Sequence, residues 1–330
     1  MSNGLNVVVK VTTNCPANCK CCINRKNKIR YAKENNLVFS LADFRKVCRS
    51  IQTAGAEYVC ISGGEPTFLP NLEDYLMIAN EYGLRTRLNT NGWGVTNERF
   101  SKWIELGLEQ VVLSVYSLNR ENMKKIRGSG KLYDKTLFAA SVISKYRKEN
   151  KRPFTFIIQT VIMRDNYREM PSLLEFAIDH GADYFWPSYL EDAINLPLAR
   201  MEKENIDEFR RKVVPCMKEI IGDRYSSKEI VNYLNQCVDK YYAEDFSEYI
   251  YHKERFVCDW LGRHLTLYPN GMVYPCPGHE YFSSNCEYSM NYDEALSTLR
   301  LDQIRANQNK YSENCKFCPQ GVHQELKLSW

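Results

Sequence analysis

The sequence has no stretch of about 18 consecutive apolar residues, so nothing in it reads as a membrane-spanning helix. A strand-like segment starts at Leu5, which leaves no room for the charged and apolar regions of a signal peptide. From these two absences we expect a cytoplasmic protein with no membrane partner. Low-complexity tracts and internal repeats are also missing. So is a dominant charge sign: 44 Lys and Arg against 40 Asp and Glu leave a net charge of +4. The basic residues are scattered. The longest basic stretch, Asn24 to Lys33, adjoins a cysteine cluster and reads as a local anion-attracting loop rather than a nucleic-acid stripe.

What is present is an ordinary globular composition with one anomaly. Apolar residues at 44% and charged residues at 25% match soluble averages, and 330 residues suffice for one large α/β barrel plus an appendage. The anomaly is 13 cysteines. Disulfide frameworks belong to short secreted domains, whereas clustered cysteines in an intracellular chain point to metal. Cys15, Cys19, Cys21 and Cys22 group near one end; Cys258, Cys276, Cys315 and Cys318 group near the other. Cys48, Cys60, Cys216, Cys237 and Cys286 stand alone.

Up to Leu190 apolar strand candidates (Asn6–Val11, Tyr58–Ile61, Thr86–Leu88, Val111–Val115, Thr155–Ile162 and Tyr184–Trp186) alternate with helical patterns. Those helices are Ser40–Thr53, Leu72–Tyr82, Glu98–Leu106, Lys135–Lys148 and Tyr167–His180, with Gly55, Gly83, Gly107 and Gly181 at the turns between. The alternation predicts α/β architecture: parallel strands joined by right-handed crossovers in a partial (β/α)6 barrel over residues 1–190, its chemistry at the carboxyl ends of the strands. Residues 191–257, with Met201–Ile221 and Ser227–Tyr242 helical, form a tyrosine-rich connector. A different module fills 258–330. It opens on a hairpin whose turn, Pro269-Asn270-Gly271, carries the strongest short hairpin signal.

Cys15, Cys19 and Cys22 form a C-x3-C-x2-C triple directly after the first strand. Three thiolates on one loop can hold three irons of a [4Fe–4S] cluster and leave the fourth open to an outside ligand. A zinc loop is the bland alternative, but zinc takes paired cysteines completed by a further pair, and none lies nearby. With this triple in that place, the chain resembles the radical S-adenosylmethionine superfamily. The resemblance extends through Gly63-Gly64-Glu65-Pro66 after the second strand, Thr90-Asn91-Gly92 after the third, Ser114 ending the fourth, and Arg127 in Arg127-Gly128-Ser129-Gly130. It implies that S-adenosylmethionine binds the open iron. It also implies contacts from Gly63, Gly64, Glu65, Pro66, Asn91, Ser114 and Arg127, with Glu65 a negative end for the cofactor's ammonium and Arg127 a carboxylate partner. Two departures stand out. Relatives place an aromatic residue before the third cysteine, where this chain has Cys21, either a small packing residue or a competitor of Cys22 as ligand. Tyr116 stands where they often carry an Asp.

Cys258, Gly271 and Cys276 have C-x12-G-x4-C spacing, followed by Cys315-Lys-Phe-Cys318. Spacing alone favours zinc. Beside the first module, however, the pattern is similar to a twitch domain, the short form of the SPASM extension, and implies one auxiliary [4Fe–4S] cluster on Cys258, Cys276, Cys315 and Cys318. His279 and Cys286 stay outside that ligand set.

The resemblance implies reductive cleavage of S-adenosylmethionine to a 5′-deoxyadenosyl radical, with electrons from a flavodoxin or ferredoxin. The implied substrate is a ribosomally made peptide undergoing crosslinking, epimerisation or oxidation. A small molecule (aminocyclitol, sugar or nucleoside) is the alternative, and a non-catalytic zinc scaffold the remote one. Cys216 and Cys237 are candidate hydrogen donors to a substrate radical.

Overall fold

The computed structural model describes residues 5–22, 37–149, 153–188, 190, 198–222, 264–274 and 290–291. Strands β1 (Asn6–Thr12), β2 (Tyr58–Gly63), β3 (Arg85–Thr90), β4 (Leu108–Ser114), β5 (Thr155–Val161) and β6 (Tyr184–Ser188) lie side by side in chain order, all parallel. Helices α1 (Leu41–Thr53), α2 (Leu72–Glu81), α3 (Asn97–Glu105), α4 (Arg120–Arg127), α5 (Lys131–Glu149) and α6 (Met170–Asp179) occupy the connections. This is the partial (β/α)6 barrel that the alternation predicts.

The strands alternate, with register irregularities between Lys10 and Thr12 on β1 and where Thr86 and Arg87 pair with β4. One face (Val7, Val9, Val11, Val59, Ile61, Leu88, Val111, Leu113, Phe156, Ile158) is buried in a single core with the helices. The opposite face, turned to the lumen, is polar at many positions: Lys10, Ser62, Arg87, Asn89, Ser114, Gln159 and Trp186. Helix starts are set by side-chain caps. Ser40 accepts from the Asp43 N–H at 3.0 Å, and Thr96 from the Arg99 N–H at 3.2 Å.

Sequence periodicity misses α4. Its hydrophobic stripe is only Met123 and Ile126, but its ends are well signalled: Asn119 caps the Asn122 N–H at 3.0 Å, and Gly128 ends it at φ 73°. In the connector, α7 (Lys203–Glu208), a π-turn (Phe209–Val213) and α8 (Val214–Ile221) make the continuous helical run expected over Met201–Ile221. Ser227–Tyr242 lies outside the described residues.

Past the connector the expected hairpin forms between β7 (His264–Leu267) and β8 (Met272–Tyr274), with β9 (Met290–Asn291) beside β8. Where it attaches is not legible from sequence. β7 pairs in parallel with β1, from Asn6↔His264 to Val9↔Leu267, so the hairpin extends the barrel's own sheet. That pairing covers an edge that would otherwise offer unpaired backbone groups.

Candidate functional site

β1 delivers the chain to the carboxyl end of the sheet, and the loop carrying Cys15, Cys19 and Cys22 begins there. Main-chain bonds fix it on two sides. The N–H groups of Gly64 and Glu65 donate to the carbonyls of Thr12 (2.6 Å) and Asn14 (2.7 Å). Across the loop, Asn18 and Lys20 donate to the carbonyls of Arg127 (2.8 Å) and Ile126 (2.9 Å), the orphan acceptors at the end of α4. The glycine pair permits the first contact: a Cβ on Gly63 would stand 2.4 Å from the Thr12 oxygen, and one on Gly64 2.1 Å from the Asn14 oxygen. No side chain fits at either position.

The three cysteines of the triple are half-buried. The Cys15 sulfur accepts from the Ala17 N–H at 3.4 Å and the Asn91 amide at 3.8 Å. Three thiolates on one loop fit a [4Fe–4S] cluster, in which each bonds a different iron.

Cys21 differs from its neighbours. It is buried against Ile126, Met163, Leu190 and Ala199. Burial raises its thiol well above the usual range, and the adjacent Cys19 and Cys22 raise it further.

Glu65 is held by the protein itself. Its carboxylate is 1% exposed, accepting from Thr67 N (3.0 Å), Thr67 Oγ1 (2.5 Å), Thr90 Oγ1 (2.6 Å) and Asn91 N (2.6 Å). These bonds staple the turn starting at Pro66 to the end of β3, which holds Asn91 beside Cys15. Burial raises the Glu65 pKa, and the four hydrogen bonds act against that rise.

Arg127 is 1% exposed. Its guanidinium donates to the Ser114 carbonyl and lies 4.3 Å from the centre of the Tyr116 ring, while its Nε has no hydrogen-bond partner among the described residues. Tyr116 in turn lies against Cys21 and Cys19, so an aromatic ring reaches the cysteine loop from the end of β4. Burial raises the Tyr116 phenol well above the usual range, and Cys21 adds to this.

Sequence reasoning missed Asp165, whose carboxylate is 4% exposed and pairs with Lys20 Nζ (2.8 Å) and Lys125 Nζ (2.5 Å). It joins the β5 loop, the cysteine loop and α4. The signal available was Lys20, a lone cation inside the cysteine motif. Cys216 is exposed on α8, whose buried residues are Val214, Met217 and Ile221. Cys237, Cys258, Cys276, Cys315 and Cys318 lie outside the described residues.

The radical SAM superfamily model matches residues 9–177. Over 332 aligned residues the chain is 25% identical to the PqqA peptide cyclase of Bradyrhizobium diazoefficiens, covering 95% of this chain and 78% of that protein. For the Methylorubrum extorquens PqqA peptide cyclase the values are 26% over 293 residues, 84% and 68%. Among solved structures, Streptococcus suis SuiB bound to its precursor peptide SuiA aligns over 96% of this chain and 69% of its own, with TM-score 0.64 and 15% identity. AdoMet-bound anSMEcpe aligns over 96% and 87%, with TM-score 0.61 and 14% identity. These two structures share the fold.

Proposed function

Because the chain belongs to the radical SAM superfamily, we propose that it cleaves S-adenosylmethionine reductively and directs the radical at a ribosomally made peptide. The observation that carries the chemistry is the half-buried cysteine triple, bridged between the Gly63–Gly64 turn and the end of α4 at the carboxyl end of a parallel sheet. Support for a peptide substrate comes from the 25% identity to a peptide cyclase, which runs through 95% of the chain.

In this reading Cys15, Cys19 and Cys22 hold the cluster, and when bound the cluster and S-adenosylmethionine supply a 5′-deoxyadenosyl radical that removes hydrogen from an unactivated C–H bond. Gly63, Gly64 and Pro66 contribute main chain rather than side chains to the cofactor contact. Asn91 and Ser114 face it from the ends of β3 and β4. Arg127 positions Ser114 and Tyr116, and Cys21 excludes water beneath the loop. We also assign Cys258, Cys276, Cys315 and Cys318 to one auxiliary [4Fe–4S] cluster, on their number and on the β7–β8 turn that reverses the chain between the first two. A flavodoxin or ferredoxin supplies the electron.

The test is iron and sulfide content after anaerobic reconstitution, wild type against Cys15→Ala/Cys19→Ala/Cys22→Ala, with 5′-deoxyadenosine followed by chromatography. About eight irons should fall to about four, with loss of deoxyadenosine. Zinc in place of iron, or deoxyadenosine that survives loss of the triple, would sink the proposal.

A further inference from the structure

The lumen face of the sheet carries a charge pattern that the cofactor site does not use. Reading inward-pointing positions along β1 to β7 gives Asn6, Val8 and Lys10; Tyr58, Cys60 and Ser62; Arg85, Arg87 and Asn89; Gln110, Val112 and Ser114; Thr155, Ile157, Gln159 and Val161; Tyr184, Trp186 and Ser188; His264 and Thr266. Three of these are cations and none is Asp or Glu. Arg85, at the amino end, is neutralised outside the lumen by Glu57 at 2.6 Å and Glu109 at 3.8 Å. Lys10 and Arg87 have no such partner among the described residues. Lys10 is 9% exposed, and its side chain makes no hydrogen bond or ion pair with another described residue. Half-buried Arg87 donates to Asn89 Oδ1 at 3.3 Å and reaches towards the Trp186 ring, 5.9 Å from its centre. The two cations lie on the same face with β2 between their strands, Lys10 opposite Ser62 and Arg87 opposite Cys60, two residues apart along β2.

We propose that Lys10 and Arg87 form a carboxylate-binding site in the barrel lumen that selects an acidic side chain of the substrate. The proposal rests on the peptide reading above for the identity of the substrate, but not for the existence of the site. Two cations on one lumen face with no counter-charge among the described residues are costly, and an entering carboxylate relieves both at once. Arg87 offers a planar fork and Lys10 a point charge, while Asn89 and Gln159 supply neutral hydrogen-bonding groups on the same face. Depth separates this site from the cofactor contacts. Gly64, Asn91 and Ser114 stand at or beyond the strand ends, whereas Lys10 precedes the end of β1 by two residues and Arg87 that of β3 by three. A group reaching them enters the barrel past the cofactor collar, as the reacting part of a substrate must.

The experiment uses the reconstituted full chain and glutarate as probe, by equilibrium dialysis, with glutaramide as the uncharged control. Wild type should bind glutarate saturably and glutaramide poorly. Lys10→Gln and Arg87→Gln should each weaken glutarate binding at least about tenfold, with Lys10→Arg and Arg87→Lys restoring part of it. Iron content, circular dichroism and uncoupled deoxyadenosine formation in the same samples report folding and cofactor binding, and these should stay at wild-type values. Glutarate binding that ignores both Gln variants, or no preference over glutaramide, overturns the proposal. Weaker S-adenosylmethionine binding in the Gln variants with glutarate binding unchanged also overturns it, because the cations would then serve the cofactor's carboxylate. Glutarate binding without turnover of any acidic peptide upholds the site while retiring the peptide reading.

Discussion

At Gly64 an added Cβ would meet the Asn14 carbonyl oxygen at 2.1 Å, and the atom met is backbone that cannot swing aside. The same oxygen accepts the Glu65 N–H, so relief of the clash would break the bond that seats the cysteine loop. Gly64→Ala should therefore cost about 3 kcal/mol and lower bound iron, read by thermal melts and iron analysis of the reconstituted protein. A variant that melts and loads like wild type would show that the loop has slack. Glu65 illustrates what a motif leaves unsaid. The four residues from Gly63 to Pro66 announce a turn near a ligand, yet only the partners contributed by Thr67, Thr90 and Asn91 show that the carboxylate holds protein together.

At the scale of elements, α4 and the loop after β5 act as the second wall of the site. The last carbonyls of α4 accept from the cysteine loop, and Asp165 bridges Lys20 on that loop to Lys125 on the helix. Neither was legible beforehand. A short helix with two buried apolar positions has almost no periodic signal, and an ion pair spanning 145 residues has none. The strands and longer helices were legible because each buries a regular stripe. Burial works against ionisation of Asp165, but Lys125 and Lys20 outweigh it and hold the carboxyl below its usual value of 3.8. A folded pKa below the unfolded one stabilises the protein above about pH 4, and that stabilisation disappears as pH falls through the folded value. Asp165→Asn should lose about 1–2 kcal/mol at neutral pH, a figure kept small because Lys125 is largely solvated. The gap from wild type should close below about pH 4. Urea titrations across that range check both points, and a gap independent of pH would remove the ion pair as its cause.

For the whole molecule, the barrel, its direction and its cysteine loop were legible because α/β alternation and motif spacing are local properties of the chain. The attachment of β7 to β1 was not, since it joins residues 258 positions apart. That junction buries His264, whose ring pairs with Asn6 at 3.1 Å and Thr266 at 2.9 Å and lies within the field of Lys10 and Arg87. Burial first, then the two cations, push its pKa from 6.5 down to about 3. The folded protein therefore excludes a proton that the unfolded chain binds, and stability present above the unfolded pKa is lost steadily as pH falls below it. Between about pH 7.5 and about pH 5.5 the loss should be roughly 1.4 kcal/mol. His264→Gln can still hydrogen-bond along β7 but cannot take up the proton, so its urea midpoint should change little over the same interval. Parallel pH dependence in the two proteins would mean that His264 is accessible to protons in the folded state. The junction would then be looser than a continuous sheet, and the lumen cations would be screened by water rather than poised for an anion.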